Sequence, residues 1–309
     1  MHLPVPLYGS VMGINGLAIA LAHAGGPAWI GIAGTSLLHA NLFWFLGLTI
    51  AYLIKLIAHP DEVRAEWNHP VRMNFFPAIS ISLLLFAVGY LPVHEGMSKV
   101  AWMAGAALQL ILLLRTLRVW VFRDAMLQTM NPAWFIPVVG NLIVPIAGVA
   151  HAPIEISWFY FSIGIVYWIL LFGITLHRVV FEKGLPPKLL PTLFILIAPP
   201  AVGFLAYMRL TDGLDSLARI LYFHALFTGL MIFAFADRFV RLPFYLSWWA
   251  YTFPLAALSL ASFRYYEATG GPVFHGIGVA VLALLALIAT WNAWKTLEGF
   301  RTRSFCVPE

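Results

Sequence analysis

Histidine is the side chain in this chain best suited to hold a cofactor or move a proton within an apolar setting. His39 and His224 stand inside long apolar stretches, and His23, His151 and His177 near the ends of others. Two of them face to face could ligate haem or relay protons. No pair shares one helix at ligand spacing, so an interhelical hydrogen bond is the simpler use for each. There is no HExxH, no GxSxG, no Walker loop and no pair of carboxylates within one apolar stretch; those are the spacings that hydrolytic, metal and phosphate chemistry need. No catalytic residue, metal or cofactor is therefore expected, and the chain is not read as an enzyme. Its single cysteine, Cys306, allows neither an internal disulfide nor a cysteine metal cluster. The other ionisable groups, among them Lys55, Arg115, Arg118, Glu155, Arg178, Asp237 and Arg238, fall near the ends of the apolar stretches, where long side chains snorkel to water. Asp215 and Arg219 are spaced to pair at i,i+4 and steady the start of a helix.

One aromatic residue differs from the rest in its placement. Phe253 immediately precedes Pro254 near the middle of an apolar stretch, where a bent helix can project a ring. With 24 phenylalanines in the chain, position alone leaves packing and lipid contact as the commoner uses. Trp248, Trp249 and Tyr251 lie a few residues earlier, and the two tryptophans are accounted for as interfacial anchors.

The elements that must carry these residues are membrane helices. Apolar residues make up 61% of the 309 and charged residues 10%, with a mean hydropathy of +0.87; soluble domains carry roughly 25% charge. A water-soluble fold is excluded. Ten stretches are long enough to cross a hydrocarbon core of about 30 Å, over residues 4–24, 33–58, 73–92, 98–122, 133–151, 154–178, 189–208, 214–238, 244–264 and 273–296. The first has no basic segment ahead of it and is expected to be a retained helix, not a cleaved signal. With the N-terminus inside, fourteen of the 18 Lys and Arg fall on the cytoplasmic side, Arg303 among them. Only Lys99, Arg209, Arg219 and Arg264 fall outside, so both termini are expected to be cytoplasmic. The net charge of +5 is then a matter of topology. No basic run marks a nucleic-acid partner.

Proline sorts the ten stretches into two sets. The odd-numbered ones hold Pro6, Pro77, Pro137, Pro145, Pro191, Pro199, Pro200 and Pro254, and the even-numbered ones hold none in their interiors. The spacing approaches 60 residues, the length of a helical hairpin repeated five times. A kink frees a backbone carbonyl, which is tolerated only inside protein or beside water. Odd helices are thus expected inside and even helices outside. The odd stretches also lack Asp, Glu, Lys and Arg between their ends and carry small or weakly polar residues instead. Of these Gly13, Asn15, Gly140, Asn141, Gly203 and Thr252 are the candidates to line a central conduit; close packing is the other use of such residues. The expectation is an all-α integral membrane protein, 1–309 as one transmembrane domain, with ten helices in five hairpins around a pore lined by the odd helices.

Several segments resemble the tellurite-resistance/dicarboxylate transporter superfamily, whose relatives include plant guard-cell slow anion channels, fungal malate permeases and sulfite exporters. They are Gly13-Ile14-Asn15-Gly16-Leu17-Ala18, the loop from Glu62 through Arg72 (EVRAEWNHPVR), Thr116-Leu117-Arg118-Val119, the run from Asn131 to Asn141, Ile197-Ala198-Pro199-Pro200, and Trp248 through Pro254. The resemblance implies five hairpins around a pore, homotrimers with one pore per subunit, and a phenylalanine of the ninth helix that occludes the pore and aligns with Phe253. Pro254, Pro77, Pro137, Pro199 and Pro200 would then support the gate and kink the pore helices. The plant relatives carry long phosphorylated tails not seen here, so kinase control is not expected. A bacterial homologue of this kind would sit in the inner membrane.

Two functions follow. The first is a passive channel for small monovalent anions through a neutral pore closed by Phe253. The second is a secondary carrier, with or without proton coupling, for a C4-dicarboxylate, sulfite or tellurite-type oxyanion. The second lacks a fixed cation in the odd stretches to hold two carboxylates.

Overall fold

The computed structural model describes residues 3–123, 126–211 and 213–302; Arg303 and Cys306 lie outside them. Among the described residues the regular structure is helical throughout, with no strand. The long helices are α1 Tyr8–His23, α2 Ala28–Ala58, α3 Pro77–Tyr90, α4 Glu95–Phe122, α5 Ile136–Gly148, α6 Ile154–Phe181, α7 Ala198–Leu210, α8 Ser216–Phe233, α9 Thr252–Thr269 and α10 Pro272–Arg301. Two short helices, Pro60–Asn68 and Ala236–Phe239, lie in the connections after α2 and α8. By length and composition, eight segments among the described residues can cross a membrane, and Pro132–Gly148 is a shorter apolar helix. The protein is an integral membrane protein.

Consecutive helices pair as five hairpins, α1 with α2 through α9 with α10. The odd members also touch one another in order, and α9 returns to α1, so α1, α3, α5, α7 and α9 form a closed ring. Burial follows the same division. In Val5–His23, Arg72–Tyr90 and Pro187–Leu210 the most apolar stretch is 72–78% buried, against 28–39% in the segments containing α2, α4, α6, α8 and α10. The even helices turn residues such as Phe43, Ile57, Val180 and Leu287 outward, as a surface facing lipid must.

Prolines shape the inner elements differently from simple kinks. Each inner helix is entered through a 3₁₀ segment: Val5–Leu7, Arg72–Phe75, Pro132–Phe135, Pro187–Ile197 and Leu246–Tyr251. Pro77, Pro137, Pro199, Pro200 and Pro254 fall within the first three residues of the α-helix that follows. There the missing N–H costs nothing, since the first-turn donors have no intrahelical partner. Among the prolines of the inner helices only Pro145 lies deep in an α-helix. The expected mid-membrane kinks at those five positions are thus junctions between a 3₁₀ entry and an α-helix. Side chains add to the backbone bonding at one such junction: the Pro137 carbonyl accepts from Gln109 Nε2 of α4 (2.6 Å) and from Asn141 Nδ2 of its own helix (3.2 Å).

Weakly polar residues join inner to outer helices. Asn41 Nδ2 donates to Asn15 Oδ1 (2.8 Å) and to the Val11 carbonyl (2.9 Å). Ser80 Oγ donates to Gln109 Oε1 (2.7 Å), and Trp102 Nε1 to the Val144 carbonyl (3.0 Å). Trp249, read as an interfacial anchor, is buried and donates to Thr296 Oγ1 (3.0 Å). Small residues close the same interfaces. A Cβ on Gly34 would sit 2.6 Å from the Ala18 carbonyl oxygen, so α1 and α2 touch through backbone there.

Candidate functional site: two cavities inside the helix ring

Two cavities lie within the ring. The first is bounded by the starts of the five inner elements, through Pro6, Gly9 and Met12, Phe75, Ala78 and Ile81, Ile136 and Val139, Ile195 and Ala198, and, at the start of α9 and just before it, Leu246, Ser247, Trp249, Ala250, Phe253 and Pro254. The second is bounded by their C-terminal halves, through Gly16, Ile19 and His23, Leu85 and Val88, Ile143 and Ile146, Val202, Leu205 and Arg209, and one face of α9 marked by Phe253, Ala256, Ala257, Leu260, Phe263, Arg264 and Glu267. Early residues of all five border one cavity and late residues the other, so the five helices run parallel. The lining positions recur every three or four residues, as in 9, 12, 16, 19 and 23 of α1, which is one face of each helix. We call the two the entry cavity, about 50 Å³, and the exit cavity, about 240 Å³, after the direction of the chain.

Phe253 is the residue common to both linings. It is 9% exposed and sits one residue into α9, at the junction set by Pro254. Its ring lies against α1 where that helix has no side chain: a Cβ on Gly16 would be 3.8 Å from Phe253 Cδ2 and 2.6 Å from the Ala256 methyl. Gly13 makes the same close approach to Thr252, and Gly9 faces Trp249. Glycines on α1 therefore let α9 come close enough to bring this ring between the cavities.

The other expected lining residues lie elsewhere. Gly13, Asn15, Gly140, Asn141, Gly203 and Thr252 border neither cavity. Gly13 and Thr252 pack on each other, and Thr252 Oγ1 donates to the Trp249 carbonyl. Gly140 receives the Gln109 side chain, and Gly203 faces Ile165 and Leu221. Asn15 Nδ2 donates to the Ser82 carbonyl (3.4 Å), and Asn141 Nδ2 to carbonyls of its own helix. Pro254 borders the entry cavity, whereas Pro77, Pro137, Pro199 and Pro200 do not. The entry cavity is instead walled almost wholly by aliphatic and aromatic residues, and the exit cavity by such residues together with His23, Arg209, Arg264 and Glu267. A buried amide or hydroxyl needs a hydrogen-bond partner, which a backbone carbonyl of its own or a neighbouring helix offers and an apolar cavity does not.

The expectation of charge-free inner helices needs correction. Helix α9 continues past 264 to Thr269 and ends on Gly270 at φ 69°, the left-handed turn that favours glycine. Arg264 and Glu267 therefore lie within it, and Arg209 within the last turn of α7. All three border the exit cavity. Asp215 does not pair with Arg219 to start α8; its Oδ1 caps the helix by accepting from the Ala218 N–H (2.9 Å), which holds the carboxyl below its ordinary pKa. Arg219 Nη1 reaches Tyr265 Oη (3.2 Å) instead.

The histidines are dispersed. His39 Nδ1 meets the Thr35 carbonyl of its own helix (2.7 Å), and His224 packs against Trp168 and Phe172. His151 Nε2 meets Ser98 Oγ (2.8 Å) in the turn after α5, where burial lowers its pKa. No group of three or more His, Cys, Asp or Glu able to hold a metal occurs among the described residues.

Known proteins share this architecture's sequence. Residues 2–297 match the family described as "Voltage-dependent anion channel". The chain belongs to the voltage-dependent anion channel family. Among similar members, the S-type anion channel SLAH2 of Arabidopsis thaliana is 28% identical over 93% of this chain and 58% of its own length. The guard cell S-type anion channel SLAC1 of the same plant is 26% identical over 88% of this chain and 51% of its own. The tellurite resistance protein TehA homolog of Haemophilus influenzae is 25% identical over 96% and 92%. This member of the voltage-dependent anion channel family thus spans about half the length of these two plant channels.

Proposed function

We propose that the chain is a passive anion channel whose closed state is the one described, with Phe253 as the gate. The observation that carries this is the pair of cavities ringed by the same five parallel helices and meeting at one side chain. A phenyl ring in an aliphatic wall closes a conduit by bulk and by excluding water, the dewetting kind of gate. Pro254 holds the ring's register by fixing where α9 begins.

Parallel helices supply the sign of the ion. Each carries roughly half a positive charge at its N-terminal end, and the five such ends surround the entry cavity. No acidic side chain borders that cavity, so an anion there meets only favourable dipoles. With no side-chain cation beside it, binding is weak, and a weakly hydrated monovalent anion loses least on entering. All ten helices cross the membrane in this reading, with both termini and the entry cavity on the cytoplasmic side of a bacterial inner membrane. Three copies assemble, each with its own pore. No enzyme activity, cofactor or nucleic acid enters the scheme.

A second reading, a carrier for a dicarboxylate or another oxyanion, is favoured by Arg209 and Arg264 in one cavity wall, since paired guanidiniums bind such ligands well. Counterflow in proteoliposomes separates the two. A channel gives uptake that grows with the gradient and is indifferent to anion preloaded on the far side. Saturable uptake stimulated by preloaded malate or sulfite would replace the channel with a carrier.

A further inference from the structure

The residues bordering the two cavities include three fixed charges, Arg209, Arg264 and Glu267, and all three border the exit cavity. They are not equivalent. Arg264 Nη1 lies 2.9 Å from Glu267 Oε2 one turn away on α9, so that pair nearly cancels and acts as a dipole. Arg209 is exposed, and its guanidinium makes one hydrogen bond among the described residues, from Nε to the Ile146 carbonyl of α5 (3.2 Å). Its two terminal nitrogens remain available to a ligand. Beneath them the wall is aliphatic: Ile143, Ile146, Val202 and Leu205. A charge at the mouth of a low-dielectric recess focuses its field into that recess and raises the local concentration of counter-ions.

We infer that the exit cavity is an anion-recruiting vestibule, in which Arg209 attracts a small inorganic monovalent anion and Glu267 tempers that attraction through Arg264. The inference rests on the channel reading and deepens it. The narrow junction at Phe253 sets whether ions pass; the vestibule sets how strongly anions are favoured over cations. A purely structural Arg209, capping the end of α7, would contribute to stability and leave ion preference unchanged.

The test uses the full chain carrying Phe253→Ala, in planar bilayers under a KCl gradient. Adding Arg209→Gln is expected to lower anion conductance by about tenfold at low ionic strength, the modest end of electrostatic focusing, and to move the reversal potential away from the chloride value. Arg209→Lys is expected to retain both. Glu267→Gln, which removes only the carboxylate of an exposed pair, is expected to raise conductance and move the reversal potential towards chloride. Near 1 M salt, where screening falls to about 3 Å, these differences should shrink. A Phe253→Ala current unchanged by both neutral variants, or changed in the same direction by both, overturns the vestibule alone. Absence of any Phe253→Ala current overturns the channel reading and the vestibule with it.

Discussion

Replacing Phe253 with alanine is expected to convert a nearly silent protein into one with a standing anion current, larger by about tenfold or more. That factor needs the barrier to fall by only about 1.4 kcal/mol. The ring lies between two cavities, and its α1 neighbour at that level is Gly16. Gly16 itself offers no side chain to take the ring's place. The apolar walls remain, so water must wet a wider passage, and the effect should grade with side-chain size: Leu and Thr give intermediate currents. Stability should fall by less than the roughly 3–5 kcal/mol typical of Phe→Ala in a filled core, because the ring borders open space on two sides. Recording wild type and the Ala, Thr and Leu variants at matched membrane protein levels checks the series. Currents equal to wild type in all three would remove Phe253 as the gate.

A second large effect is expected at the other end of the entry segment. Lys55, at the end of α2, and Glu66, in the short helix Pro60–Asn68, are each 3% exposed and lie 3.1 Å apart. Glu66 Oε2 also accepts from Tyr52 Oη (2.7 Å), and Oε1 from the Val5 N–H (3.3 Å). Lys55 Nζ donates to the Leu3 carbonyl (2.9 Å). The pair therefore clamps the residues just before Pro6, which borders the entry cavity. Removing one partner leaves a buried charge unpaired, at a cost of about 3–5 kcal/mol. Lys55→Met and Glu66→Leu should each lower the unfolding temperature in detergent steeply. The double variant should recover most of the loss, since it leaves only the neutral Leu3 carbonyl, Val5 N–H and Tyr52 hydroxyl without these partners. Single variants as stable as wild type, or a double variant with the summed loss, would contradict a buried clamp.

Glu66 belongs to the loop EVRAEWNHPVR, which carries much of the family resemblance. Its neighbours in the motif have structural work of the same kind. Trp67 packs its ring 4.8 Å from that of Phe76, and His69 Nδ1 accepts from the Val71 and Arg72 N–H groups. Sequence alone marked the loop as specific but not why, because the partners of Glu66, which are Val5 ahead of α1 and Tyr52 and Lys55 on α2, meet it only in the fold.

The division into inner and outer helices was legible because prolines inside the apolar stretches are confined to one set; those that begin outer helices, such as Pro272, lie outside the stretches. Helix limits were harder. Residues 244–251 read as part of an apolar helix, but 244–245 are irregular, Leu246–Tyr251 form a 3₁₀ entry, and α9 runs on to Thr269. Apolarity says where lipid or protein surrounds a residue, not which helix type it adopts. That shift hid Arg264 and Glu267 in what looked like a loop. The conduit walls were hidden for another reason. In water an apolar stripe marks the buried face; in a membrane the lipid face, the packed face and an apolar conduit are all alike. Val139 and Ile143, which border the cavities, differ from lipid-facing valines and isoleucines only in the fold around them. Asn15 and Asn141 stood out by type; the Asn15 amide joins α1 to α2 and α3, and the Asn141 amide bonds carbonyls of its own helix.

The central claim is that the two cavities are one path interrupted at a single ring. Cysteine accessibility along α9 measures this directly, once Cys306 is replaced with Ser to remove the only native thiol. Ala250 borders the entry cavity and Leu260 the exit cavity, on either side of Phe253. A membrane-impermeant anionic thiol reagent is applied only from the exit side. Leu260→Cys should react whether or not Phe253 is present, while Ala250→Cys should react only when Phe253 is also replaced by Ala. Reaction of Ala250→Cys with Phe253 in place, or its continued protection after Phe253→Ala, would contradict a single path closed by that ring.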